Sequence, residues 1–177
     1  MKKLKIMFMA LFMAFTLLLS GCVVNVAVPT VKEGRFDFSI TYEVRGEEKT
    51  YEGTYICKLD DVYVSCIGKG RNWTGYMEDG SEMEIIIDTN EYGEVYIWPG
   101  FYPEYFMSDP DYVWDSVPAP TLYMLYNDDT PDDMFVDEES DFLEIYGVRI
   151  ISYQYAAPIE NEYKEKWTFG RFELRIN

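Results

Sequence analysis

Phe36-Asp37-Phe38-Ser39-Ile40-Thr41-Tyr42-Glu43-Val44-Arg45 alternates apolar and polar side chains over ten positions without a break. A strict period of two is the pattern of a strand with one buried face. Gly46-Glu47 follows, the Gly-X pair of a tight type II′ hairpin turn. Such a turn sets Tyr42 opposite Tyr51, Ile40 opposite Gly53, Phe38 opposite Tyr55 and Phe36 opposite Cys57. Further along, a fold at Asp61-Val62, or a loop from Asp60 to Tyr63, sets Leu59 opposite Val64 and Cys57 opposite Cys66. Both registers predict one core face: Phe36, Phe38, Ile40, Tyr42, Tyr51, Tyr55, Cys57, Leu59, Val64 and Cys66.

The pattern continues outward. Met83, Ile85 and Ile87 alternate into a turn at Asn90-Glu91-Tyr92-Gly93, where a three-residue loop sets Ile87 opposite Val95 and Ile85 opposite Ile97. Val148–Tyr155 and Trp167–Ile176 read as two more strands, with weaker ones at Thr121–Tyr126 and Phe142–Tyr146. One helical turn is the most that fits around Asp137–Phe142. About nine strands at this spacing predict an all-β antiparallel meander, closed as a sandwich or a small barrel.

At 177 residues the chain has room for one domain, and 48% hydrophobic residues exclude a disordered acidic tail. Histidine is absent, which removes Ser-His-Asp and Cys-His catalysis and histidine-ligated zinc. A net charge of −17 argues against nucleic acid or an anionic lipid surface as partner.

The N-terminus carries an address. Lys2, Lys3 and Lys5 form a basic region, Ile6–Leu19 an apolar run of 14 residues, and Leu19-Ser20-Gly21-Cys22 closes it. The run is shorter than the ~20 residues of a membrane span. The four closing residues resemble the lipobox of bacterial lipoproteins. That resemblance covers only the signal and implies cleavage before Cys22 and diacylglycerol on its thiol. It predicts a signal peptide over 1–21, a lipid-anchored tether over 22–33 and a single β-domain over 34–177 on the extracytoplasmic face of the cell membrane or envelope. Loss of three lysines leaves 12 basic against 32 acidic residues, a charge of −20. The tether is unusually β-branched and reads equally as an added edge strand.

With Cys22 committed to lipid, Cys57 and Cys66 form an even pair in an oxidising compartment, which predicts a disulfide. Two free buried thiols and a metal half-site are the alternatives.

The middle of the chain is the anomaly. Between Arg71 and Arg149 lie 77 residues with 20 acids and neither lysine nor arginine. Trp98, Tyr102, Tyr105 and Trp114 fall here among Pro99, Pro103 and Pro110, with Glu104 and Asp111 close in sequence. The economical reading packs these rings inward as a cap on the core. The alternative is a partly exposed binding patch for a carbohydrate or protein ligand, stiffened by proline. Calcium would suit the acidic runs Asp128–Asp133 and Asp137–Asp141, but acid runs are commonly solvated. The EF-hand-like start at Asp88 fails at Tyr92 and Pro99. A glycosidase needs two carboxylates at a set separation, and 32 acids supply such pairs by number alone. The sequence therefore predicts no enzyme, no cofactor and no metal site. It predicts a membrane-anchored, non-catalytic binding or interaction module, with a calcium-dependent surface protein or a carboxylate glycosidase as alternatives.

Overall fold

The structure, a computed structural model, describes residues 22–65, 68–89, 93–126, 142–170 and 174–176. The signal segment, Cys66 and both acidic runs at 128–133 and 137–141 lie outside the described residues. Among the described residues there are ten strands, all paired antiparallel where the register is defined, and the fold is all-β.

The alternating stretch forms β2 (Glu33–Val44), which pairs with β3 (Glu47–Ser65). The turn is Arg45-Gly46, with φ of 52° and 83°. Positive φ at both central residues is the type I′ geometry, whose twist matches the strands it joins. The turn therefore sits one residue earlier than Gly46-Glu47, and the pairing becomes Ile40↔Tyr51, Phe38↔Gly53, Phe36↔Tyr55 and Gly34↔Cys57. A register change of two residues preserves which face each side chain occupies. Phe36, Phe38, Ile40 and Tyr42 are accordingly all buried, as are Tyr55, Cys57 and Leu59. Gly53 is where it is because the Phe38 ring folds over bare backbone. A Cβ there would lie 2.9 Å from that ring.

The predicted second hairpin does not form. β3 runs unbroken for 19 residues, through Asp60–Tyr63, to Ser65. Asp61 is buried and accepts a hydrogen bond from Asn72 Nδ2, and Val62 is 1% exposed. Neither residue is at a solvent-facing turn. Asp60 and Asp61 are turn-forming residue types, but no glycine stands beside them to take a second positive-φ position, and the backbone stays extended through both. The expected opposition of Cys57 and Cys66 rested on that turn, and Cys66 itself lies outside the described residues. Among the described residues Cys57 is buried and has no disulfide partner.

The described residues fall into two compact units. The larger comprises Val31–Lys58 and Trp73–Asn161. In it, β8 (Val148–Tyr155) pairs with the other edge of β2, from Phe38↔Tyr155 to Val44↔Val148. Thr41↔Ser152 and Tyr42↔Ile150 leave Ile151 as the extra residue of a bulge. A second sheet has the order β5 (Ile85–Thr89), β6 (Gly93–Trp98), β7 (Thr121–Tyr126). Ile85↔Ile97 pairs as predicted, but Ile87 is bulged and Asp88 takes the place opposite Val95. Val95, Ile97 and Met124 are fully buried. The unit is sandwich-like, with the Arg45–Asp88 ion pair at 2.7 Å and a bond from the Tyr155 hydroxyl to the Pro99 carbonyl linking its two sheets. Residues 142–146, read as a weak strand, form one π-helical turn (Phe142–Tyr146) with Phe142 buried.

The smaller unit holds β1 (Cys22–Pro29), the end of β3, the start of β4 (Gly68–Met77), β9 (Tyr163–Gly170) and β10 (Leu174–Ile176). The segment read as a tether is thus a strand, paired along its whole length from Cys22↔Gly170 to Pro29↔Tyr163. The long strand read at Trp167–Ile176 is two, β9 beginning at Tyr163 and β10 pairing with β3 at Leu174↔Val64 to Ile176↔Val62. Arg71 is buried in this unit, where its Nη1 donates to the Ala27 carbonyl at 2.9 Å and its guanidinium lies 5.1 Å from the centre of the Tyr163 ring.

Candidate functional site

The aromatic segment begins where β6 ends. Gly100 has φ of +71°, and a Cβ there would lie 2.6 Å from the Ala119 carbonyl oxygen, so only glycine turns the chain at this point. Phe101 then enters the core, stacking on Tyr55 at 4.4 Å and meeting Phe38 edge-on at 4.7 Å. Five residues later Phe106 does the same against Phe36 at 4.8 Å and Tyr55 at 5.6 Å. Between them α1 (Pro103–Phe106) makes one helical turn, with proline in its first turn, where no backbone donor is lost. The two phenylalanines hold the segment down, and Tyr102 and Tyr105 are left half-buried between them.

Beyond the turn the backbone is pinned at several points. Ser108 adopts φ of 48°, donates its hydroxyl to the Ile159 carbonyl at 2.7 Å, and lies beside a bond from Ile159 N to the Phe106 carbonyl at 2.9 Å. Asp109 is 3% exposed. Its carboxylate accepts Trp73 Nε1 at 2.8 Å and the Asp111 amide at 3.0 Å, while its own amide donates to the Glu104 carbonyl at 2.9 Å. A buried carboxylate satisfied in this way is a structural pin.

Trp114 returns over this platform. Its ring lies 4.7 Å from Tyr102 and 6.0 Å from Tyr105, and Tyr102 in turn meets Trp98 at 5.4 Å. The four rings singled out in the sequence therefore form one connected surface, Trp98–Tyr102–Trp114–Tyr105. The pairs Trp98–Tyr102 and Tyr105–Trp114 stand at 83° and 86°, so the surface is faceted. Trp98, Tyr102 and Tyr105 are half-buried and Trp114 is 36% exposed. Tyr112, Val113 and Val117, in the same stretch of chain as Trp114, are exposed as well. The rings that do plug the core, Phe101 and Phe106, belong to the same segment and were not separated from the others in the sequence reading. Their signal was side-chain chemistry: phenylalanine lacks the polar handle that keeps tyrosine and tryptophan at a wet boundary.

The deepest reactive group lies beneath this segment. Burial pushes the Cys57 thiol up to about 12, opposed by a hydrogen bond with the Tyr55 hydroxyl and reinforced by the negative field of Glu104. Tyr55 is itself shifted upward, chiefly by burial. Such a thiol is inert at neutral pH. A shallow polar depression of about 650 Å³ lies on the outer side of β2, β3 and β8, where Thr54 Oγ1 donates to Asp37 Oδ1 at 2.8 Å beside Glu52 and Gln154. Asp88, where the EF-hand-like stretch began, is held by Arg45. Among the described residues no three metal-ligating side chains converge. No protein family, curated protein or solved structure matches this chain.

Proposed function

We propose that this chain is a lipid-anchored, extracytoplasmic, non-catalytic binding module that takes a glycan on the Trp98–Tyr102–Trp114–Tyr105 surface. The observation that carries this reading is the connection of four partly exposed rings on a loop pinned by Phe101, Phe106, Ser108 and Asp109. Sugars offer flat C–H faces to aromatic rings and hydroxyls to carboxylates, and a loop already ordered loses little entropy on binding. The anchor follows from the lipobox-like Leu19-Ser20-Gly21-Cys22. Because β1 is paired from Cys22 onward, lipid on that residue would hold the folded strand directly at the bilayer, with no spacer.

Titration of the full-length protein, in non-ionic detergent, with neutral and amino oligosaccharides tests the site. Tryptophan fluorescence is expected to change saturably, and Trp114→Ala is expected to remove the response. No saturable response to any glycan refutes the reading. For the anchor, Cys22→Ala is expected to move the protein from the membrane to the soluble fraction, with an altered mass. Retention at unchanged mass rules the lipid out.

A further inference from the structure

We propose that β8 accepts an added strand from a partner protein, an extended segment alternating apolar with basic residues, along residues 152–155. This surface is separate from the aromatic rings and does not depend on the glycan reading. Among the described residues β8 pairs with β2 alone. Ala156 N donates to the Asp37 carbonyl, and bonded pairs alternate along an antiparallel ladder, so Gln154 and Ser152 also bond to β2. Tyr153 and Tyr155 then aim their backbone N–H and C=O groups away from β2, and such groups recruit a further strand. Ser152, Tyr153 and Gln154 are exposed at consecutive positions, Tyr153 at 43%, so both faces of this stretch meet solvent. Natural edges are commonly blunted by charge, proline or a bulge. Here the bulge at Ile151 and the charge of Arg149, paired with Glu43, guard only the first half of the strand. Ser152-Tyr153-Gln154-Tyr155 holds neither charge nor proline, and residues 145–159 hold no acid.

The partner's chemistry follows from the two faces and the field. Tyr153 lies across from the buried Ile40, so an apolar side chain on the added strand extends that face. Gln154 lies across from Ser39 on the opposite face, where both line the polar depression with Asp37 and Glu52. A basic side chain suits that face. The unit that contains β8 has 27 acidic against 6 basic residues, a formal charge of −21. Even if every base in it were paired, the negative excess would remain. Such a field draws a cationic segment and repels an acidic one, a second copy of this chain included.

The test titrates the full-length protein, in non-ionic detergent, with a ten-residue peptide alternating valine and lysine, by calorimetry at low and high salt. One-to-one binding is expected, about tenfold or more tighter than that of a valine–glutamate peptide of the same length, and weaker as salt rises. N-methylation of the peptide's backbone amides, which keeps its side chains and charge, is expected to abolish binding. Tyr153→Pro removes an N–H that faces away from β2 and is expected to weaken binding about tenfold. Tyr153→Thr keeps that N–H and is expected to weaken it only about twofold. Equal binding of the methylated peptide, or of oligolysine of equal charge, overturns the proposal as diffuse attraction to an acidic protein. Equal binding of the valine–glutamate peptide overturns the basic partner, and no binding of any peptide overturns the edge as a docking site. A concentration-dependent dimer in sedimentation, lost in Tyr153→Pro, with no peptide bound, overturns the proposal in favour of a second copy.

Discussion

The β2–β3 hairpin and the segment from Trp98 to Trp114 are both dense in aromatic residues, yet they sort their rings by different rules. In the hairpin, position decides. Every second residue of β2 faces inward, so Phe36, Phe38 and Tyr42 are buried whatever their polarity. In the segment there is no period to obey, and ring chemistry decides. Phe101 and Phe106 are buried at 4% and 0%, while tyrosines and tryptophans a residue or a few away remain partly wet. A strand offers two faces and a cross-strand partner for each residue. A loop pinned at a few points offers a choice, and hydroxyl and indole groups keep to the boundary.

The sharpest way to break this contrast is to truncate a loop ring that behaves as core. Phe106→Ala is expected to cost about 3–5 kcal/mol in urea unfolding, as much as Phe36→Ala in the strand. A loss under 1 kcal/mol would show that the loop is only draped on the sheet. Alkaline titration tests the buried pair below. The Cys57 pKa is raised from 9.0 to about 12, so its contribution is fully present below about pH 9 and is lost as pH rises toward about 12. The bound on that loss is about 4 kcal/mol. Urea midpoints are expected to fall steadily above pH 9, with Tyr55 adding to the fall in the same direction. Cys57 is also expected to react with a thiol reagent only after unfolding without reductant. A midpoint flat through this range and no reactive thiol in the unfolded chain would show Cys57 to be disulfide-bonded.

A smaller effect is expected at the pin. Asp109→Ala leaves the Trp73 indole N–H without its partner and frees the Asp111 amide, for about 2 kcal/mol. The same change should shift the fluorescence of the segment's tryptophans before global unfolding. The smallest effect is expected at Trp114, where truncation to alanine should cost under 1 kcal/mol in stability while removing ligand response. A Trp114→Ala variant as unstable as Phe106→Ala would put all the rings under the core rule.

The sequence reading was strongest where a short-range rule has few competitors. Alternation over 36–45 assigns faces, because side-chain direction along a strand follows from backbone geometry alone. It does not assign register. Turns at Arg45-Gly46 and at Gly46-Glu47 give the same faces, and only the φ values of 52° and 83° distinguish them. The spacing of Cys57 and Cys66 about Asp60-Asp61 suggested a hairpin, but turn-forming residue types permit a turn without requiring one, and a 19-residue strand runs through them. Nor is there a local signal that Cys22–Pro29 pairs with Tyr163–Gly170, some 140 positions away.

What the sequence by itself determined is the all-β class, the buried face of β2 and β3 and the base-free aromatic segment. Each depends on neighbours in the chain, whose geometry is set by covalent connectivity. Only the tertiary structure decided that Trp98, Tyr102, Tyr105 and Trp114 touch, that Phe101 and Phe106 anchor them, and that Asp109 fastens the loop to Trp73. Those contacts join residues whose separation carries no period, so they exist only once the sheets beneath have closed and left a surface of that shape.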